Sequence, residues 1–331
     1  MSVAKVLKMT NDDMMNDKVL VSILVPIYNV EKYIEKCSVS LFTQTYQNLE
    51  FVFVDDCCQD KSIEVLENVI RKHGIPNNKY TIVRHSQNEG IAVSRADCIA
   101  NAKGDYILFV DSDDWIEKNM VEALIEATDN GRIDIVACDY MKDYLSGEIT
   151  YHDEDYASTC HENLIRSINY DISTLLWKLL IRRELFSHFT ITPHVDIVED
   201  YIMTIKLYYY AKSFTRIRQY LYHYVQYNQG RVSFQTQRSI MNHIKGVREV
   251  ETFCREKGLC DDRVKNLLNL RKFNIKSNFL TKRMLDYKAY QETFPEANGT
   301  WRQLDYSRKE CFKFWLAEHG FFSLLKYLQK I

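Results

Sequence analysis

The aspartates of the stretch DSDD, Asp111 to Asp114, are the residues whose types and spacing most clearly suggest chemistry. They follow the apolar run YILFV, which is typical of a buried strand that surfaces into a loop. Carboxylates this close repel one another unless a cation lies among them. Hard oxygen ligands suit Mg²⁺ or Mn²⁺, and one or two carboxylates with a diphosphate make a typical Mg²⁺ site. The stretch therefore predicts a divalent metal site, with a solvated acidic loop as the alternative.

A second pair of aspartates, Asp55 and Asp56, ends another apolar run and is followed by Cys57 and Cys58. A carboxylate here could accept hydrogen bonds from a nucleobase or a ribose. The alternative is a helix cap or a turn, which suits Asp60 better than Asp56. No histidine or cysteine has metal-ligand spacing to the two cysteines. We therefore expect the thiols to fill a turn of small residues and to carry no chemistry.

The elements that must position these aspartates alternate between buried strands and amphipathic helices. The alternation predicts an α/β fold of doubly wound type, with a mostly parallel sheet and helices on both faces. In such sheets, ligands bind at the carboxyl ends of the strands. The candidate residues at these ends are Pro26, Tyr28, Asp55, Asp56, Asp111 and Asp113.

The rest of the chain has a less regular pattern. The helix within GIAVSRADCIANAKG is expected to stop at Gly104, and residues 148–156 to form an edge strand. Residues 173–186 and 199–212 are both expected to be helical. Residues 217–227 alternate like a strand, and from about Ser239 onward the chain is expected to be helical.

Several function classes are disfavoured by missing motifs. The chain contains no G-x-G and no G-x-x-x-x-G-K-[ST], which argues against a nicotinamide enzyme and a P-loop ATPase. Its histidines show no zinc-binding spacing. A nucleotidyltransferase would need a glycine-rich loop with arginine after the first strand, and VPIYNVEKY offers none. No nucleic-acid partner is expected.

The motif order resembles that of a known enzyme family. VSILVPIYNVEKYIEKCSVSLFTQTYQNLEFVFVDD, followed by NEGIAVSRADCIANAKGDYILFVDSDDW, is similar to the family 2 glycosyltransferases of the GT-A fold. A weaker match continues through WKLLIRRELF and VEDYIMTIKLYYYAK, and the C-terminal third is not covered. The resemblance is to the bacterial, non-processive, polysaccharide-building type, because Q-x-x-R-W and membrane spans are both missing from the sequence.

The resemblance implies a donor site for a UDP-sugar. Pro26 and Tyr28 would line the nucleotide pocket, with Tyr28 near the uracil face. Asp56 would accept a hydrogen bond from the uracil N3–H. Arg95 would lie near the diphosphate.

The resemblance also implies a metal ligand and a base. Asp113 would bind Mn²⁺ or Mg²⁺, and Asp111 would assist through water or the sugar. Asp200, in a pair with Glu199, would be the general base that deprotonates the acceptor hydroxyl. The alternative for Asp200 is an N-terminal helix cap.

These roles together imply an inverting, metal-dependent transfer of a single hexosyl or N-acetylhexosaminyl group to a hydroxyl. The acceptor would be a glycan or a lipid-linked glycan, in surface polysaccharide synthesis. A metal would stabilise the diphosphate leaving group, and one displacement would invert the anomeric centre.

Departures from the family pattern motivate an alternative, a catalytically inactive homologue that binds a nucleotide-sugar. Cys57 and Cys58 replace the Gly and Ser that are usual in the family. Ala96 replaces its usual Asn, and Val198 replaces its usual Gly. The lysine of the usual WNKL is displaced by one position, to Lys178.

Two aromatic residues near the predicted site have alternative interpretations. His223 could reach the diphosphate or the acceptor, or could be a stacked, partly buried side chain. Trp115 could form the floor of the sugar pocket or simply pack.

We expect residues 1–18 to be an N-terminal extension and 19–234 the catalytic domain. Its nucleotide-sugar half would be 19–115 and its acceptor half 116–234. Residues 235–331 would form a basic, aromatic-rich helical region.

The C-terminal region raises the question of a membrane surface. From residue 236 onward the chain has 19 lysines and arginines against 11 aspartates and glutamates. An amphipathic face is expected from Phe314, Trp315, Phe321, Phe322, Leu325 and Leu328. Such a basic, aromatic helix could lie in a membrane interface, and the alternative is packing onto the catalytic domain.

The expected location is cytoplasmic, and peripheral attachment to the inner face of the membrane is one of the two alternatives for the C-terminal region. Nine cysteines without C-x-x-C spacing indicate reduced thiols. The first 18 residues carry three aspartates and do not have the pattern of a signal peptide.

Overall fold

The computed structural model describes residues 19–228, 236–281 and 285–328. These residues divide into two compact units. The first comprises residues 19–160, 175–194 and 206–228, and the second comprises 161–174, 195–205, 236–281 and 285–328.

The first unit contains a nine-stranded sheet within the described residues. The strands are β1 Val21–Ile27, β2 Leu49–Asp55, β3 Tyr80–Arg84, β4 Tyr106–Phe109, β5 Trp115–Ile116, β6 Ile135–Asp143, β7 Ile149–His152, β8 Leu179–Arg182 and β9 Phe214–Val225.

The sheet is parallel on one side and mixed on the other. Its order is β3-β2-β1-β4-β8-β6-β9-β5, with β7 paired to β6. The strands β3, β2, β1 and β4 are parallel, whereas β8 runs antiparallel to both β4 and β6. The expected GT-A-type α/β fold is confirmed, with the parallel half formed by the first four strands of the pattern. Every residue of β1 is buried, as expected for a strand covered on both faces.

The register of the parallel strands brings the candidate residues to one edge of the sheet. Ile27 pairs with Asp55, and the N–H of Asp56 donates to Ile27 O at 2.9 Å. On the other side of β1, the N–H of Val110 donates to Leu24 O at 3.0 Å. The chain therefore leaves β1, β2 and β4 at the same edge, immediately before its polar residues.

The helices have the following bounds. They are α1 Ile34–Phe42, α2 Ser62–His73, α3 Ile91–Asn101, α4 Met120–Glu126, α5 Cys160–Ile168, α6 Glu199–Tyr210, α7 Gln237–Glu256, α8 Asp262–Ser277, α9 Tyr287–Glu292, α10 Arg308–Glu318 and α11 Phe322–Leu328.

The helix expected over residues 173–186 is wrong. Leu176–Lys178 and Arg183–His188 form short 3₁₀ turns on either side of strand β8. The first three residues of β8 are buried between β4 and β6. A short apolar run that is buried on both faces has no periodicity that separates a strand from a helix.

Gly104 does not stop helix α3, which ends at Asn101. Its φ is not in the left-handed region, so it is not a C-terminal cap of that kind. A Cβ at this position would lie 2.6 Å from the backbone nitrogen of Ser22. The glycine therefore permits a close approach of two backbone segments.

The second unit contains the C-terminal helices. The single amphipathic face expected there is interrupted, because Gly320 (φ 78°) separates α10 from α11. Phe314 and Leu325 are buried, whereas Phe321 is exposed, and the side chain of Leu328 lies outside the described residues. None of the helices that the structure describes is long and apolar enough to span a membrane.

Candidate active site

Asp56 is buried directly after β2, and its carboxylate is held by the segment that leads into α3. Oδ1 accepts from the backbone N–H of Glu89 at 2.8 Å, and Oδ2 accepts from that of Gly90 at 2.9 Å. Oδ1 also lies 2.7 Å from His85 Nδ1. These contacts fix the carboxylate at the carboxyl end of β2, where its role towards a nucleobase stays a prediction.

The two cysteines after Asp56 form a tight turn. Cys57 has a φ of 63°, in the left-handed region that favours glycine. The thiol of Cys58 donates to Ile27 O at 3.5 Å, and burial raises its pKa to about 12. A thiol in that state is protonated at neutral pH and is a poor metal ligand or nucleophile.

The turn continues into a set of hydrogen bonds that joins two loops. Asp60 Oδ1 accepts from the backbone N–H of Ser62, the first residue of α2, at 3.0 Å. Its Oδ2 accepts from the N–H of Glu31, also at 3.0 Å, and Asn29 Oδ1 accepts from Gln59 at 2.8 Å. Asp60 therefore supports the start of α2, as expected, although Lys61 occupies the cap position.

Arg95, in the second turn of α3, and Asp111, two residues beyond the end of β4, form an ion pair. Arg95 Nη2 lies 3.0 Å from Asp111 Oδ1, and the arginine side chain is only 3% exposed. The guanidinium also lies over the ring of Phe109, 5.4 Å from its centroid. A buried guanidinium is thereby held beside the first aspartate of the DSDD stretch.

Asp113 and Asp114 point to different partners. Asp113 Oδ2 accepts from Asn228 Nδ2 at 2.8 Å. Asp114 is buried, and it accepts from the hydroxyl of Tyr222 and from the N–H of Val225, both at 2.8 Å. Burial, and then the charges of Asp113 and Asp111, raise the pKa of Asp114 well above its usual range. Asp114 therefore anchors the loop to β9, which leaves Asp111 and Asp113 as the metal-ligand candidates.

A divalent metal fits these two residues. Within the described residues there is no cluster of three or more acidic, histidine or cysteine side chains that could hold a metal alone. Mg²⁺, however, commonly uses one or two carboxylates and completes its shell with water and substrate phosphates. The oxygen donors of Asp111 and Asp113 match that chemistry.

Pro26 and Tyr28 lie at the end of β1. Pro26 is buried within the strand and pairs with Val54 of β2. Tyr28 is 47% exposed, one residue beyond the strand. An exposed aromatic ring at this edge is available to a ligand, and its contact with a base stays a prediction.

His223 is stacked and buried. Its ring lies on that of Trp115, with centroids 3.3 Å apart and an interplanar angle of 15°. Nδ1 is 3.0 Å from Asp143 Oδ1, and Nε2 is 3.0 Å from Glu117 Oε1. Asp143 also accepts from Trp115 Nε1 at 3.0 Å. These contacts favour the packing interpretation of His223 and Trp115.

Glu199 and Asp200 occupy the first turn of α6 and belong to the second unit. Glu199 is buried. The preceding residue, Val198, is also buried, and a Cβ on Gly246 would lie 2.5 Å from its Cγ2. Close packing thus fixes the start of the helix that carries the predicted base.

The sequence of this chain matches the profile of the family described as Glycosyl transferase family 2 over residues 22–191, which is more than half of its 331 residues. This chain belongs to glycosyltransferase family 2.

Curated proteins named as glycosyltransferases are similar to this chain. The protein named putative glycosyltransferase EpsH of Bacillus subtilis is 30% identical over 219 residues, 62% of this chain and 60% of that protein. The uncharacterized glycosyltransferase EpsJ of the same organism is 32% identical over 184 residues, 54% of this chain and 52% of that protein. The matched region thus spans less than two thirds of either relative.

Solved structures show the same fold. Staphylococcus aureus TarS 1-349 superposes with a TM-score of 0.63 at 19% identity, covering 92% of this chain and 91% of that one. A complex of TarS 1-349 with UDP superposes with a TM-score of 0.59 at 20% identity, covering 86% of this chain and 80% of that one. The mannosyltransferase PcManGT of Pyrobaculum calidifontis, in complex with GDP-Man and Mn²⁺, superposes with a TM-score of 0.54 at 15% identity. The match covers 95% of this chain and 83% of that one.

Two residues of this candidate site are not found by sequence reasoning. His85 contacts Asp56, and Tyr222 contacts both Asp114 and the N–H of Asp111. A signal for Tyr222 exists in the alternating pattern of LYHYV, which shows that it faces one side of β9. That pattern does not identify its partner.

Proposed function

We propose that this chain is an inverting, metal-dependent glycosyltransferase that transfers one sugar from a UDP-sugar to a hydroxyl of a glycan or lipid-linked glycan. The observation that carries the proposal is the Arg95–Asp111 ion pair at 3.0 Å. It holds a buried guanidinium beside Asp111, the first aspartate of the DSDD stretch, just beyond the carboxyl end of β4. Membership of family 2 supports the assignment of this arrangement to a donor site.

Asp56, Tyr28 and Pro26 are assigned to the nucleotide. Asp56 follows β2 and Tyr28 follows β1, and these strands are adjacent and in register. Ligands of doubly wound sheets bind at this edge. The TarS complexes with UDP and with UDP-GlcNAc support a uridine nucleotide as the donor class.

Asp113 and Asp111 are assigned to Mn²⁺ or Mg²⁺. When bound, such an ion stabilises negative charge on the departing diphosphate. Arg95 contributes a fixed positive charge beside Asp111. A cation that is buried and already oriented needs little reorganisation when charge develops on the leaving group.

Asp200 is assigned as the general base, with Glu199 beside it in the first turn of α6. A carboxylate within about 3 Å of the acceptor hydroxyl can take its proton as the oxygen attacks. The attack breaks the bond between the sugar and the diphosphate in one displacement. The configuration at the anomeric carbon is therefore inverted.

The test is release of UDP from UDP-sugars with Mn²⁺ or Mg²⁺, in wild type and in Asp113→Ala. Asp153→Ala, at an exposed aspartate in the same unit, is the matched control. We expect Asp113→Ala to lose activity and the control to retain it. Comparable rates in wild type and Asp113→Ala would refute the metal assignment, and a preference for GDP-sugars over UDP-sugars would refute the uridine donor and with it the role of Asp56 towards uracil.

The alternative is a catalytically inactive homologue that binds a nucleotide-sugar. The observation that favours it is Val198, which fills the position of the family glycine directly before Glu199 and packs tightly near Gly246. Turnover of any donor and acceptor pair excludes this alternative. Nucleotide-sugar binding without UDP release would establish it.

We further propose that the second unit binds an anionic membrane surface in the cytoplasm. The second unit has an aromatic surface in which the exposed rings of Phe312 and Phe321 each stack with the half-buried ring of Trp315. The helices α10 and α11 on either side of Phe321 also expose Leu324 and Tyr327, and the basic side chains of Arg308, Lys309 and Lys326. Aromatic rings with flanking cations suit the headgroup region of an anionic bilayer. All nine cysteines are free, which fits a reducing compartment.

A further inference from the structure

His85 lies between two carboxylates of the first unit. Its backbone N–H donates to Asp55 O at 2.9 Å, which extends the pairing of β3 with β2 by one residue. Its ring places Nδ1 2.7 Å from Asp56 Oδ1 and Nε2 2.9 Å from Asp97 Oδ2. The His85 side chain is only 9% exposed.

This geometry determines the charge of the ring. A neutral imidazole has one N–H and can donate to one carboxylate only, whereas an imidazolium donates from both nitrogens. In the neutral ring, the bare nitrogen would face a carboxylate oxygen at hydrogen-bonding distance and repel it. The arrangement Asp56–His85–Asp97 is therefore complete only when His85 is protonated.

No other charged side chain competes for the ring among the described neighbours. Arg84 pairs with Glu67, with 2.6 Å between Nη2 and Oε1, and its Nε lies 3.9 Å from Asp55 Oδ2. Arg95, on the same helix as Asp97, pairs with Asp111. Asp56 at the end of β2 and Asp97 on α3 are thus the groups that set the protonation of the ring.

The ring links two parts of the proposed donor site. Asp56 is the predicted nucleobase acceptor, and Asp97 lies on α3, the helix that carries Arg95 towards Asp111. Losing one proton leaves the ring with a single N–H, so it can donate to Asp56 or to Asp97 and no longer to both. The link that the ring makes between the end of β2 and α3 would therefore be broken. The two backbone donors from Glu89 and Gly90 would remain.

We propose that His85, as an imidazolium, is a positioning residue that holds Asp56 and α3 for nucleotide binding, so that affinity for UDP follows its protonation. This inference rests on the proposed function, because it takes UDP as the ligand. Burial lowers the pKa of His85, but the hydrogen bonds and charges of Asp56 and Asp97 outweigh it and raise the pKa above the ordinary value. Affinity should accordingly be full at low pH and fall as the pH rises through the raised pKa.

The experiment measures the Kd of UDP by calorimetry between pH 6 and 9 for wild type, His85→Gln, Asp97→Asn and His188→Gln. We expect wild type to lose about tenfold in affinity across this range. His85→Gln should bind about tenfold more weakly at pH 6 and show a flat profile. Asp97→Asn keeps the ring but removes one of the two carboxylates that favour its protonated form. The pH at which the affinity for UDP is half lost should therefore be lower in this variant than in wild type. His188→Gln, at an exposed histidine of the same unit, should match wild type.

The outcomes separate this inference from the proposed function. UDP binding with identical pH profiles in wild type and Asp97→Asn overturns the role of His85 while leaving the donor assignment intact. Asp97→Asn decides the matter even where His85→Gln does not fold. Absence of UDP binding in wild type at every pH refutes the proposed donor, and the role of His85 falls with it.

Discussion

The hydroxyl of Tyr222 donates to Asp114 Oδ2 at 2.8 Å and accepts from the backbone N–H of Asp111 at 3.1 Å. One buried side chain of β9 therefore holds both ends of the DSDD stretch. Its ring stacks on Trp177, with centroids 4.1 Å apart, which fixes the position of the hydroxyl. The orientation of Asp111 and Asp113 thus depends on a residue that need not touch any ligand.

Tyr222→Phe tests this dependence. The change removes one of the two hydrogen bonds to the buried carboxylate of Asp114 and takes the partner from the N–H of Asp111. We expect a loss of about 2 kcal/mol in the free energy of unfolding. A small displacement of the loop should lower turnover of the UDP-sugar about a hundredfold. Urea unfolding and initial rates measure the two effects. Tyr220→Phe, at an exposed tyrosine of the same strand, should change neither. Wild-type turnover in Tyr222→Phe would contradict the anchoring role.

The strand ends could be predicted because buried parallel strands leave long apolar runs, and aspartates stand out where such runs stop. Asp56, Asp111 and Asp113 were located in this way. The contacts of Tyr222 could not be predicted, since they join β9 to a loop more than 100 residues earlier in the chain. Hydrophobic periodicity reports which face of a strand is buried and gives no information on its partner. Strand β8 is missed for a related reason, because its three buried residues are too few to show a periodicity.

Cys57→Gly should stabilise the protein. Cys57 has a φ of 63°, which costs a non-glycine residue about 1 kcal/mol. We expect the glycine variant to gain about 0.5 to 1 kcal/mol in urea unfolding and to bind UDP normally. Cys260→Gly, at a position without positive φ, should gain nothing. A variant that binds UDP but loses activity would return a chemical role to the thiol.

The second unit should lose stability in mild acid through His243. Burial, and then the charge of Arg271, lower the pKa of His243 to about 4. His243 Nδ1 faces Arg271 Nη2 at 3.1 Å, and this nitrogen can accept only while the ring is neutral. The unfolded chain binds a proton with the ordinary pKa of about 6.5. The free energy of unfolding should therefore fall, by about 3 kcal/mol, as the pH drops from about 6.5 to about 4.

His243→Gln removes this contribution, so the difference in unfolding free energy between wild type and variant should change with pH across that range. His161→Gln, at an exposed histidine of the same unit, controls for other titrating groups. If the difference in unfolding free energy between wild type and His243→Gln stays constant from pH 7 to pH 4, the ring of His243 is already charged in the folded protein.

Gly246→Ala should disturb the start of α6. The added Cβ would lie 2.5 Å from Val198 Cγ2, and valine has little rotamer freedom with which to move away. We expect a loss of about 1 to 3 kcal/mol in stability. Because Val198 directly precedes Glu199 and Asp200, kcat should fall more than KM rises. The double variant Gly246→Ala with Val198→Ala should recover both properties, and a failure to recover would mean that the clash is not their cause.

The aromatic surface of the second unit should bind anionic membranes. We expect the full chain to co-sediment with vesicles that contain phosphatidylglycerol and not with pure phosphatidylcholine, and the bound fraction should fall as salt is raised. Phe321→Ser removes an exposed ring from this surface and should weaken partitioning about tenfold, as expected for losing the burial of one large apolar side chain. Tyr151→Ser, at an exposed ring of the first unit, is the matched control. Equal binding to both kinds of vesicle, or no effect of Phe321→Ser, would mean that this surface has another partner.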